Sequence, residues 1–157
     1  MATVLRYQDF EKPPFDLPGV AKDYIQEQIT DMIEAYEPTI AHAVIGETLY
    51  NQLLAGLEED PVPAKWTALK AVMVDVCRKF VYYRYRFRYI SDVTETGETM
   101  PDRDNATQVD PSRLMIEAIN EMLDDIDNRL VALCDGNADY PDYEYVTEQE
   151  KINCFGF

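Results

Sequence analysis

Histidine occurs once in these 157 residues and tryptophan once, glycine six times and cysteine three times. Serine appears only at Ser91 and Ser112. The lone His42 sits between Ala41 and Ala43 on an apolar stretch, and no Gly-x-Ser-x-Gly or comparable nucleophile setting accompanies it. Both serines fall at predicted helix ends, where capping accounts for them. Neither glycine-rich phosphate motif is present. Cys77, Cys134 and Cys154 are odd in number, widely spaced and form no Cys-x-x-Cys pair, so no disulfide framework or zinc site is expected. Cys77 and Cys134 fall inside helical patterns as small buried hydrophobes, a usage suited to a reducing compartment. The first sixteen residues lack the apolar core of a signal peptide, and no apolar run approaches the length of a membrane span. Positive charge is scarce too: 14 Lys and Arg stand against 30 Asp and Glu, a net charge of −16. That balance disfavours nonspecific binding to nucleic acid, which requires a basic surface.

Carboxylates are abundant, so metal binding needs a specific test. Asp135-Gly136-Asn137-Ala138-Asp139-Tyr140 begins like a calcium loop, with oxygen ligands at positions 1, 3 and 5. It departs from that pattern at position 6, where Tyr140 replaces the turn glycine, and at position 12, where Val146 replaces glutamate. Asp102, Asp104 and Asp110 form a looser cluster, and no Glu-x-x-His pair suits a di-iron bundle. The sequence predicts no catalytic residue, no metal and no cofactor.

What is present is a long amphipathic stretch over residues 63–91. Trp66, Leu69, Met73, Val76, Phe80, Tyr83, Phe87 and Ile90 recur at alternating steps of three and four, a stripe down one helical face. At 1.5 Å per residue such a rod is about 42 Å long. Seven of the fourteen basic residues lie on it: Lys65, Lys70, Arg78, Lys79, Arg84, Arg86 and Arg88. Between Arg78 and Arg88 they interleave with aromatics, as in some nucleic-acid grooves. The acidic surroundings favour pairing of these arginines with carboxylates of a neighbouring helix or subunit instead.

Around the rod the chain divides into three parts. Residues 1–19, with Pro13, Pro14, Pro18 and Gly19, read as an extended arm whose Val4, Leu5, Tyr7 and Phe10 dock elsewhere. Residues 20–136 read as a helical bundle. A first helix covers 20–36 with Tyr24, Ile25, Ile29, Met32, Ile33 and Tyr36 inward, and ends at Pro38. A short apolar helix follows over 38–45, then a third over 47–57 and the rod. Residues 92–110 show no helical period and form a projecting loop with its tip at Gly97 and Pro101 limiting the return. Asp110-Pro111 opens a last helix, which carries Met115, Ile119, Met122, Ile126, Leu130 and Leu133 and ends at Gly136. Residues 137–157 read as an extended tail.

The expected fold is therefore all-α, a bundle of four to five helices with two long antiparallel helices, an extended loop between them and extended arms at both ends. Arg78, Arg84 and Arg88 of the rod are the candidate partners of Glu117, Glu121 and Asp124 on the last helix. Gly97, Pro101, Tyr140, Tyr143, Ile152, Phe155 and Phe157 are the candidate contacts to other subunits, because apolar groups at chain ends imply docking.

One layout in the sequence is familiar. Ile45-Gly46-Glu47-Thr48-Leu49-Tyr50-Asn51-Gln52-Leu53-Leu54 precedes Trp66-Thr67-Ala68-Leu69-Lys70 and the tyrosine-rich run Tyr82-Tyr83-Arg84-Tyr85. Thr94-Glu95-Thr96-Gly97 and a closing Asp-Pro-Ser helix follow, and the chain ends Ile152-Asn153-Cys154-Phe155-Gly156-Phe157. Over roughly residues 20–134 this resembles the small helical head–tail connector (adaptor, or head-completion) proteins of tailed phages, of the kind found in phages and prophages of gut bacteria. The resemblance implies a structural virion protein, made in the host cytoplasm, that forms a ring with its own copies and meets portal and tail-completion proteins. DNA would be only passing cargo, and no membrane is involved. A cytoplasmic protein-interaction adaptor without catalytic activity is the second reading, and an acid–base enzyme built on paired glutamates is the third.

Overall fold

The computed structural model describes residues 3–17, 22–96 and 111–145. Four helices carry the fold: α1 (Asp23–Ile45), α2 (Glu47–Gly56), α3 (Ala64–Thr96) and α4 (Pro111–Asp125). A π-helical turn, Ile126–Leu130, and a short α5, Val131–Cys134, extend α4 without a break. No strand occurs among the described residues. The all-α expectation holds.

α3 forms the middle of the bundle. Its 33 residues make it about 50 Å long at 1.5 Å per residue. Trp66, Leu69, Met73 and Val76 of the expected stripe are buried, joined by Val72, Cys77, Val81 and Tyr82 from a second face. Two buried faces mean partners on two sides: α1 meets it where the Tyr36 and Phe80 rings stand edge to face 6.4 Å apart, and α4 meets it through Lys79. The helix also runs past Ser91 to Thr96, so the first five residues of the predicted loop are helical. Gly97 and Pro101 lie outside the described residues.

α1 contradicts the predicted break at Pro38, which sits inside one 23-residue helix. Proline removes one helical hydrogen bond and costs about 3 kcal/mol in a helix interior. Here Ile33, Glu37, Ile40, Ala41, Val44 and Ile45 are buried on both sides of it, and their packing outweighs the local penalty. Tyr24, expected inward, is 56% exposed. The α1–α2 joint is Gly46, at φ +78°, whose N–H reaches the His42 carbonyl at 3.2 Å. That φ belongs to glycine. At the other end of α2, Gly56 lies flat against Trp66, leaving no room for a Cβ.

On the last helix, Ile119, Met122, Ile126 and Leu130 are buried as expected, with Ala118, Leu123 and Cys134 beside them. Ile126, Leu130 and Cys134 are spaced four apart, and each step of four drifts about 40° round an α-helix. The wider π turn at Ile126–Leu130 absorbs that drift and keeps all three on the core.

The N-terminal segment corrects the sequence reading most. Val4, Leu5, Phe10, Phe15 and Leu17 are buried in the bundle of their own chain, and Tyr7–Phe10 is a turn of 3₁₀-helix. Leu17 N–H donates to Phe10 O at 3.0 Å, closing the segment on itself, and Phe15 stands 5.4 Å from Tyr82. Residues 3–17 are thus part of the core and not a free arm.

Candidate interaction surface

Glu37 is the buried charge-bearing side chain that organises the N-terminal segment, and no motif marks it. Fully buried on α1, it accepts three hydrogen bonds: Val4 N–H at 2.7 Å, Leu5 N–H at 2.9 Å and the Tyr50 hydroxyl at 2.7 Å. Burial raises its pKa above the ordinary 4.5, against the lowering effect of those donors. The Tyr50 hydroxyl is pushed up in turn, first by burial and then by its bond to Glu37. One side chain therefore ties three parts of the chain together: residues 4–5, α1 and α2. A glutamate between a tyrosine and a proline, Tyr36-Glu37-Pro38, has no periodic signature that distinguishes it from an exposed one.

The expected ion pairs between α3 and α4 are re-partnered. Arg78 does not reach the last helix: its Nη2 donates to the Lys12 carbonyl at 3.0 Å and its guanidinium lies 5.9 Å from the Phe15 ring. Arg84 turns to α1, stacking 4.4 Å over the Tyr36 ring and donating to its hydroxyl at 3.2 Å. Arg88 is exposed. Glu117 is engaged within its own helix, accepting from Arg113 at 2.9 Å. Glu121 does face α3, but its partner is Lys79 at 3.7 Å. Asp124 is exposed, and its backbone carbonyl accepts from Asn128 at 3.0 Å. Shorter pairs also join the helices: Lys79 with Asp125, 2.5 Å, and Arg129 with Asp75, 2.7 Å. Arg129 also reaches Asp125 at 3.0 Å, and the bonds to Asp75 and then Asp125 raise its pKa. A basic side chain on the acidic helix thus meets an acid on the basic one. Net charge per helix could not reveal that exchange.

The C-terminal candidates divide as well. Tyr140 is buried in its own chain: its hydroxyl donates to the Lys65 carbonyl at 2.7 Å, with its ring 6.3 Å from Trp66. Tyr143 packs half-buried against the core, and burial lifts its pKa to about 12. Residues 137–145 therefore close over the base of α3 instead of extending from it. Asp135 to Tyr140 is a tight turn: Asn137 donates to the Leu133 carbonyl at 2.9 Å and accepts from Asp139 N–H at 3.0 Å. Ile152, Phe155 and Phe157 lie outside the described residues. Burial raises the Cys77 thiol well above its ordinary pKa and the Cys134 thiol to about 12, so both act as packing groups. His42 stands edge to face with Tyr50, 5.4 Å away.

What remains outward at the far end of α3 is a mixed cationic and aromatic ridge. Phe87 is 56% exposed and stacks on Tyr83. Arg86 donates to the Tyr82 hydroxyl at 3.3 Å and lies 5.4 Å over that ring. Neither Arg84 nor Arg86 meets a carboxylate among the described residues; tyrosines hold both. Such stacking orients the guanidinium without neutralising it. No described helix is long and apolar enough to cross a membrane. No protein-family model matches this chain, and neither a curated protein nor a solved structure is similar to it.

Proposed function

We propose that this chain is a structural subunit of a phage particle, a head–tail connector protein that forms a ring with its own copies between portal and tail. The reading rests on the motif resemblance over residues 20–134. The observation that supports it best is the cationic, aromatic ridge of α3: Phe87 exposed, Arg84 and Arg86 held in place by tyrosines rather than spent on carboxylates. An oriented cationic and aromatic surface at one end of a strongly acidic subunit suits contact between proteins. In this reading α3 and the last helix run antiparallel. The pairing of Lys79 with Asp125, and of Asp75 four residues earlier with Arg129 four residues later, supports that direction.

The adaptor without catalytic activity remains the second reading, and both predict a binding partner. They part at the portal. In sedimentation velocity the purified chain should form complexes of ring size with the portal protein of the same phage. A strictly monomeric chain that ignores the portal at high concentration overturns the connector reading.

A further inference from the structure

Beside the N-terminal segment, the first turns of α1 carry a groove. Two adjoining hollows, about 280 and about 380 Å³, share Tyr7 and Thr30 and run between residues 3–8 and α1. The larger is lined by Asp23, Glu27 and Asp31, at i, i+4 and i+8, together with Gln26. All three carboxylates are in the described part of the chain, and none of them meets a cation there. Like charges at this spacing repel and destabilise a helix by about 0.2–0.5 kcal/mol per pair. Tyr24, the residue after Asp23, is exposed, and the Lys22 ammonium lies 5.9 Å over its ring.

Arg6 lines the smaller hollow, so the acid row belongs to the larger one. The cationic ridge on α3 is its complement: Arg86, Phe87 and Arg88, positive where the larger hollow is negative. Within one chain the two surfaces do not meet. Arg84 fixes the ridge against Tyr36, and Tyr36 is nine residues from Glu27, about two and a half turns and so on the opposite side of α1. We infer that the groove of one subunit receives the α3 ridge of a second copy. The contact is heterologous, joining different surfaces of identical chains, so it repeats from subunit to subunit and closes into a ring or continues as a filament. Charge gives the contact its orientation and its salt dependence, while Phe87 and the tyrosines supply apolar area. This deepens the proposed ring and rests on that reading for closure.

Two charge-reversed chains test it: Glu27→Arg with Asp31→Arg in the groove, and Arg86→Glu with Arg88→Glu on the ridge. Sedimentation velocity of the full chain should show self-association that weakens as salt rises. Each variant alone should associate at least about tenfold more weakly, and an equimolar mixture of the two should regain assembly, since each then offers what the other accepts. Circular dichroism and melting establish that both are folded. If the ridge variant unfolds, Phe87→Ser, at an exposed position, takes its place and should weaken association likewise. Variants that assemble as the wild type does, or a mixture that stays monomeric, overturn the interface. Binding of the variants to the portal under those same outcomes leaves the connector reading standing. Salt-sensitive capture of duplex DNA that is lost with the ridge arginines while self-association persists also overturns it.

Discussion

Glu37 shows how much one residue decides. Its carboxyl faces three donors, and replacing it by glutamine sets an amide N–H₂ against a backbone N–H of Val4 or Leu5. Leaving a buried donor unpaired costs about 1–3 kcal/mol, so Glu37→Gln should lower stability by that amount and loosen residues 3–17 first. Its pH dependence has a defined sign. Because burial raises the folded-state pKa, the proton-linked stability is fully present below the ordinary 4.5 and is lost as pH rises through the raised folded value. The glutamine variant lacks that titration. The gap in melting temperature between the two proteins should therefore be widest in acid and narrow toward neutrality. A gap independent of pH would mean that Glu37 does not titrate on unfolding.

Among the elements, α3 and the last helix are joined by unequal ion pairs, and burial decides which one matters. Lys79 and Asp125 are each 13% exposed, and Lys79 also approaches Glu121. Arg113 and Glu117 are 76% and 45% exposed on one helix. An exposed i,i+4 pair contributes about 0.3–0.5 kcal/mol, whereas a shielded hydrogen bond to a charge contributes about 1.5–3 kcal/mol. Lys79→Ala should therefore destabilise the protein several times more than Arg113→Ala in urea unfolding. Arg129 stays within 3.0 Å of Asp125 and limits the loss, so the double change Lys79→Ala with Arg129→Ala should exceed the sum of the single ones. Equal effects of Lys79→Ala and Arg113→Ala would show that the interhelical pair is solvated.

For the whole molecule the governing quantity is the charge of −16 with its positive ridge. Duplex DNA should bind weakly or not at all at physiological ionic strength, where the screening length is about 8 Å and the surrounding acids repel phosphate. Fluorescence anisotropy with labelled duplex measures this directly. Tight binding that falls steeply with salt and disappears in Arg84→Gln with Arg88→Gln would turn the ridge into a nucleic-acid contact.

The sequence by itself determined the helical class, the rod at the centre, one of the rod's two buried faces and most core positions on the last helix. Periodicity reports which residues share a face, and Leu69, Met73, Val76, Met122 and Leu130 are buried as their spacing predicts. Only tertiary structure decided what covers each face. Pro38 stops a helix locally, yet burial on both sides carries α1 through it. Proline-rich residues 3–17 look unstructured because their order comes from groups more than thirty positions away, the Glu37 carboxyl above all. Tyr140 reads as a contact for another subunit until its hydroxyl is found on Lys65, 75 residues distant in the chain. Local spacing encodes faces. Which faces meet depends on long-range closure, whose energy belongs to no single stretch of sequence.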